Sequence, residues 1–394
     1  AKLGHVTLEI YEHGHVAHYH RSYAECSTEG GPSAPPVVLR PHVKTTNISN
    51  IFVDMRHAWT EELNIAPSGA VDEFRRKKAR NDYPVMALWE MGLRGLRVPL
   101  QDLMDAATKR RMEIMFGVGH KFHIYRYGIP TESEIKTIKQ HSSIIAELEL
   151  VLGWETIDEQ VAEIQLLKNE TRLPIVLSRV NRNDASKTSG GKYNHLISHG
   201  FTLAEIPEIS SFILKNPSLL DGVQFTIPRS INSWEAGREL QTFKNRTNCK
   251  PILYVKSTEA SPAERFNDEI SNAIRFGEAI LSGIGFDIEI ILDTFDDADR
   301  GYFTRTGLID RRFNPRIAGQ LISEIVRQLN EGIWKAADSA SPEVIDDKGN
   351  IIKIGTISDI SKDADWYDPK TGLSGDASNI SKVSSKLVVI KSRQ

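Results

Sequence analysis

Near residue 290 the apolar run IEIIL (288–292) passes straight into Asp293, Asp296, Asp297 and Asp299, and Arg300, Arg305, Arg311, Arg312 and Arg316 follow closely. Carboxylates at this density transfer protons, hold a cation, or pair with guanidinium groups to lock a loop. Loop locking accounts for Asp296, Asp297 and Asp299, which have five arginines nearby. Asp293 differs because a strand sets its position, so it is expected to face a pocket and take part in chemistry. Two glutamates stand at comparable places: Glu155 after AELELVLGW (146–154) and Glu259 after KPILYVKST (250–258). Either also fits the first turn of a helix, where the helix dipole favours an acid.

Other polar residues close apolar runs in the same way. Asp54, Arg56 and His57 end NIFVDMRH (50–57), Arg97 lies in GLRGLRVPL (92–100), and His120, Lys121 and His123 open GHKFHIYRYG (119–128). Ser178, Arg179 and Asn181 end LPIVLSRVN (173–181), and Gln224, Thr226 and Arg229 belong to DGVQFTIPR (221–229). Arg179 and Asn181 can bind sugar hydroxyls, while Trp154 and Tyr254 can stack on sugar rings. Arg97 and His120 equally fit a paired, structural role in a polar interior. The Gly/Ser-rich stretch 181–200 carries His195 and His199 and, as a long loop, is expected to touch substrate. Lys256 ends an apolar run, where burial would lower its pKa and permit a Schiff base, so a lysine-dependent lyase or aldolase is an alternative. His13, His15, His18 and His20 raise divalent-metal binding, but alternate residues of a strand face opposite sides, so they are not expected to converge.

These positions need elements to hold them. Eight short apolar or β-branched runs, the last FDIEIILDTF (286–295), alternate with amphipathic stretches such as LQDLMDAATKRRMEIM and ETIDEQVAEIQLLKNE. TESE (131–134) reads as a capping box. No Gly-rich phosphate turn follows the first run, which argues against a doubly wound sheet. The α/β alternation predicts a (β/α)8 TIM barrel whose strand ends share one active-site face. The flanks differ. Residues 5–23 read as a β-hairpin and 27–36 as a linker, while EVIDDKGNIIKIG (343–355) predicts a hairpin and SKLVVIKS (385–392) a last strand. The expected division is 1–36 hairpin and linker, 37–332 barrel, and 333–394 a β extension, the terminal segments together forming a small β appendage.

The chain has 394 residues, 40% hydrophobic and 26% charged, with net charge −3. That balance gives no reason to expect nucleic acid as a partner, and no apolar run is long enough for a membrane span. Cys26 and Cys249 are the only cysteines, which fits a reducing, cytoplasmic setting. Ala1 in place of methionine fits a chain processed or cut from a longer polypeptide. The expected partner is a small-molecule or sugar substrate; no cofactor is called for, a divalent metal stays open, and the oligomeric state is not readable.

GYFTRTGLIDRRFNPRIAG (301–319) resembles the segment leading into the last helix of clan-A glycoside hydrolases, with Gly307, Leu308, Asp310, Asn314, Pro315, Arg316 and Ala318 in the pattern. The resemblance implies a TIM barrel with an acid/base glutamate after strand four and a nucleophile after strand seven, which points to Glu155 and Glu259. Here Trp154 precedes Glu155 where that clan usually has asparagine. Such a pair stands about 5–5.5 Å apart for retention and about 6.5–9.5 Å for inversion. The hairpin YEHGHVAHYHRSY resembles the closing hairpin of calcineurin-like metallophosphoesterases, which implies the rear portion of a longer, metal-dependent phosphodiesterase. The sequence therefore predicts a hydrolase of a carbohydrate-like substrate, with phosphoester hydrolysis as the alternative and a non-catalytic binding barrel as the third.

Overall fold

The computed structural model describes residues 48–55, 59–60, 62–65, 77–79, 81–181, 198–258, 268–296, 306–329, 332–337, 341–383 and 385–393. Eight strands pair in parallel: β1 (Ile51–Asp54), β2 (Gly95–Pro99), β3 (Lys121–Tyr127), β4 (Ile145–Leu152), β5 (Ile175–Asn181), β6 (Gly222–Ile227), β7 (Lys250–Val255) and β8 (Glu289–Leu292). Each pairs with the next in sequence, and β8 returns to β1, so the sheet closes into the expected barrel. Seven of the eight predicted runs contain their strand, and the fourth, 146–154, misses only its first residue, Ile145.

Helices α1 (Tyr83–Glu90), α2 (Leu100–Met104), α3 (Ala106–Gly117), α4 (Glu132–Gln140), α5 (Ile157–Thr171), α6 (Ile206–Lys215), α7 (Ser233–Thr247), α8 (Glu269–Phe286) and α9 (Ile317–Leu329) accompany the strands. Thr131 and Glu134 form the capping box anticipated at the start of α4. The stretch 100–115, expected as one helix, is broken at Asp105. That residue is extended, and its carboxylate accepts from Thr108 N to start α3, as an N-cap does. An unanticipated antiparallel pair, Leu63–Ile65 with Lys77–Ala79, lies between β1 and α1.

A second, antiparallel sheet is built from β9 (Trp334–Ala336), β10 (Glu343–Asp346), β11 (Asn350–Gly355), β12 (Asp365–Asp368), β13 (Leu373–Asp376) and β14 (Val388–Arg393), in the order β9-β10-β11-β14-β12-β13. The β10–β11 hairpin turns at Gly349, whose φ of +81° suits glycine. Trp334, Val344, Ile352, Leu387 and Val389 share one continuous apolar core with the barrel's helices. Gly277 of α8 permits that contact, because a Cβ there would collide with Ile354 and Leu321. The histidine hairpin and the linker lie outside the described residues, so the described part of the appendage comes from residues after 333 alone. Among the described residues, no helix is long and apolar enough to cross a membrane.

Among the described residues three apolar regions result, the smallest, Ala364, Val388 and Ile390, lying at the second sheet. The large one fills the space between barrel and helices. Inside the barrel, among the described residues, only Phe52, Val176, Ile252, Tyr254 and Ile291 form a buried apolar cluster. The other inward positions are polar, and they create the site.

Candidate functional site

Side chains alternate across a strand, and in β2, β3 and β4 the inward positions carry Arg97, His123, Tyr125, Glu147 and Glu149. Register places Asp54 beside Arg97, Arg97 beside His123, and Tyr125 beside Glu149. Arg97 is 1% exposed and all three of its nitrogens are bound. Its Nε and Nη2 donate to Glu149 at 2.7 and 3.0 Å, and Nη1 donates to Asp54 Oδ2 at 2.9 Å. Its guanidinium also lies over the Tyr125 ring, 4.0 Å from the centroid. Burial alone would push the Glu149 carboxyl up. The charge of Arg97 and hydrogen bonds from His123 and Arg97 outweigh it and hold Glu149 well below the usual carboxylate range.

At the carboxyl-terminal mouth Tyr254 ties two strands' acids together. Its hydroxyl lies 2.7 Å from Asp54 Oδ2 and 2.8 Å from Asp293 Oδ1. The other Asp293 oxygen accepts from both Ser257 N and Ser257 Oγ at 3.2 Å, and Ser257 Oγ contacts Thr306 Oγ1 at 2.8 Å. Burial pushes the Tyr125 phenol well up, and the Asp54 charge adds to this, so it stays a donor. One end of the Gln224 amide lies 3.2 and 3.3 Å from the two oxygens of Glu149. A carboxylate only accepts, so that end is the NH2 group. The amide carbonyl then faces His199 Nδ1 at 2.8 Å, which places a proton on His199 Nδ1. His199 is partly exposed, edge-on to Tyr254 at 5.0 Å.

The structure therefore brings together Asp54, Arg97, His123, His199, Gln224, Tyr254 and Asp293 from the sequence expectations. With them comes Ser257, a strand-end residue of KPILYVKST, and the structure adds Glu149, Tyr125 and Thr306, which sequence reasoning missed. Several roles change. Arg97 and His123 direct their nitrogens at carboxylates and not at a substrate. Tyr254 is a buried bridging hydroxyl and does not present a stacking face. Trp154 sits on a 3-10 turn (Trp154–Thr156) and packs edge-on against Phe201 and Phe212, its indole N–H donating to Glu208. Its ring thus belongs to the helical layer. Asp293, expected to face a pocket, is 1% exposed, and a cavity of about 710 Å³ is lined by Arg311, Arg312, Arg316 and Lys370 instead. Arg179 pairs with Glu205 and, at 3.5 Å, with Glu155, whose side chain is 76% exposed. Lys256 follows β7, and its backbone carbonyl accepts from Arg275 Nε at 2.7 Å. Arg56, His57, Glu259, His195, Asp297, Asp299 and the side chain of Asn181 lie outside the described residues.

The segment that carried the glycoside-hydrolase resemblance forms a tight turn into α9. Asp310 Oδ1 accepts from the backbone N–H groups of Arg312 and Asn314, and Arg316 N donates to Leu308 O. It shapes the entry to a helix and stands apart from the buried carboxylates.

No protein-family model matches the chain, and no curated protein matches it significantly. Among solved structures, a GH39 enzyme from Xanthomonas axonopodis pv. citri is similar over 69% of this chain and 67% of its own, at 11% identity and a TM-score of 0.45. A Pseudomonas aeruginosa protein provisionally described as a dihydrodipicolinate synthetase covers 71% and 80% at 9% identity, with a TM-score of 0.33. A beta-D-mannosidase from Dictyoglomus thermophilum covers 79% and 42% at 10% identity, with a TM-score of 0.31. Likenesses this distant carry no argument about activity.

Proposed function

We propose that the chain is a hydrolase of a carbohydrate-like substrate, with its chemistry at the carboxyl-terminal mouth of the barrel and Asp54 and Asp293 as the acid–base pair. The observation that carries this reading is the bridge through Tyr254. A phenol has one proton and can donate to one carboxyl. Asp54 is paired with Arg97, so it is the charged acceptor. The 2.8 Å contact to Asp293 Oδ1 is then favourable when Asp293 carries a proton and donates it to the phenol oxygen. Its other oxygen, which accepts from Ser257, is the carbonyl side of that acid. One neutral and one charged carboxyl, held on rigid strand ends, is the complement acetal hydrolysis needs. The two bonded oxygens lie within about 5.5 Å of each other, since both touch one phenol oxygen. In this reading Asp293 gives its proton to the leaving oxygen, while charged Asp54 stabilises the developing oxocarbenium ion or activates water. The partly exposed His199 ring and the Arg179–Glu205 pair are suited to sugar hydroxyls at the rim.

The test is a panel of aryl glycosides and oligosaccharides, with an aryl phosphodiester in parallel. Release from a glycoside that Asp293→Asn abolishes, and Glu155→Gln does not, supports the reading. Loss with Glu155→Gln alone moves the acid to the rim. Turnover of the phosphodiester alone, or of nothing, overturns the proposal.

A further inference from the structure

At the amino-terminal floor of the barrel, opposite the mouth, three buried side chains converge without satisfying one another. His123 is fully buried, and Glu147 and Glu289 nearly so. His123 Nδ1 faces Glu289 Oε1 at 3.3 Å and Glu147 Oε2 at 3.6 Å. None of these three buried atoms makes a hydrogen bond, and all three lie within 4.8 Å of one another. Leaving buried polar atoms unpaired is costly, so three on one point call for an occupant.

The surroundings specify what that occupant is. His123 Nε2 lies 3.0 Å from Glu149 Oε2, and Glu149 is held charged by Arg97, so Nε2 carries a proton and donates. An imidazole that ligates a cation through Nδ1 beside two carboxylates, while its Nε2–H is held by a third, is the carboxylate–histidine–metal arrangement of metalloproteins. The alternative, a proton on Nδ1, can satisfy two of the three atoms at most. Donor separations of 3.3 and 3.6 Å are close to the ~3.3 Å edge of a tetrahedron whose metal–ligand bonds are about 2.0–2.1 Å long. The charge balance agrees. Asp54, Glu147, Glu149 and Glu289 face Arg97 and Lys250, so among these groups negative charge is in excess even with His123 protonated.

We propose that His123, Glu147 and Glu289 form a structural site for a divalent transition-metal cation of the zinc or cobalt type, a fourth position being left to water. Lys250 is its gate. Its Nζ donates to Glu289 Oε2 at 2.8 Å and to Glu147 Oε1, the oxygens that face away from the cage. With a 35% exposed side chain it marks where the floor meets solvent. The site would tie β3, β4 and β8 together at the face of the barrel that serves stability, not catalysis.

The experiment is titration of the purified chain with Co2+ alone, then Zn2+. Expected is one Co2+ per chain with the absorption of a four-coordinate ion, displaced by Zn2+. Glu289→Gln should weaken it at least about tenfold. The combined variant His13→Ala, His15→Ala, His18→Ala, His20→Ala should bind as the parent does, which separates this cage from the N-terminal hairpin. Should Glu289→Gln fail to fold, Lys250→Met answers the same question. Removing the competing ammonium should tighten Co2+ binding, and unchanged or weaker binding overturns the proposal. No Co2+ on the folded parent, or loss in the hairpin variant alone, also overturns it and leaves the cage holding a proton on Nδ1.

Discussion

Arg97 grips both oxygens of Glu149 inside the barrel, Nε to Oε2 at 2.7 Å and Nη2 to Oε1 at 3.0 Å, with neither residue more than 1% exposed. A planar guanidinium matches a carboxylate in this two-point way. The third nitrogen reaches Asp54, so one cation holds the mouth's acid and the interior's acid together.

Removing that cation leaves two buried carboxylates uncompensated. Arg97→Met is expected to cost about 3–5 kcal/mol in chemical denaturation, and Arg97→Lys nearly as much, since an ammonium cannot make the paired contact. The double variant Arg97→Met/Glu149→Gln should lose clearly less than the sum of its single changes, as groups in one network do. Additive losses would mean the pair is not coupled.

How far the sequence could foretell this differs between strand and side chain. Alternation of apolar and amphipathic runs located all eight strands because closure leaves each strand apolar on its helix-facing side. The polar interior was half legible. Asp54 and Asp293 stand out as strand-end residues, and Tyr254 only as a ring able to stack on a sugar. Glu147, Glu149 and Glu289 do not, although acids at every second place in AELELVLGW are a sign of an inward polar row. A buried strand is expected to be apolar on both faces, and that expectation hid them. The direction of Trp154 is not legible in the sequence because a side chain on a 3-10 turn depends on partners remote in the chain, here Phe201 and Phe212.

Asp102 offers a test of burial through pH. It is partly buried and accepts from Trp59 Nε1 at 2.8 Å. Burial pushes its carboxyl up to about 6 from 3.8, against the Trp59 bond and helped by the Asp105 charge. The folded state thus binds this proton more tightly than the unfolded state. Its contribution to stability is greatest below about pH 4 and is lost as pH rises to about 6. Asp102→Asn keeps an acceptor for Trp59 and removes the titration. The Tm of the variant relative to the parent should therefore rise between pH 4 and pH 7 and level off above it. A constant difference across that range refutes the assignment.

Cys249 is expected to be inert. It is buried at the end of the α7–β7 connection, and burial first, with the Asp221 charge second, pushes its thiol up to about 12. In a Cys26→Ser background, a thiol reagent at pH 8 should find no reactive group in the native chain, and labelling should follow global unfolding. Rapid native labelling would show the β7 entry to be open.

The proton assigned to the Asp54–Tyr254–Asp293 bridge makes the two aspartates unequal, and this can be checked before any substrate is known. If Asp293 is the neutral acid, asparagine in its place imitates it: the amide N–H donates to the Tyr254 oxygen as the acid O–H did, and the amide carbonyl still accepts from Ser257. Asp293→Asn should then change stability by less than about 1 kcal/mol. Asp54 is the charged partner of Arg97, and Asp54→Asn leaves the guanidinium without half of its compensation, for a loss of about 2–3 kcal/mol. Tyr254→Phe should fall between the two, because it removes the partner of Asp293 Oδ1 while Asp54 Oδ2 keeps Arg97 Nη1, and it creates no net charge. Denaturant midpoints at neutral pH give the order directly. If Asp293→Asn proves the more damaging of the two, the proton lies on Asp54 or is absent, and the acid proposed for the reaction is the wrong residue.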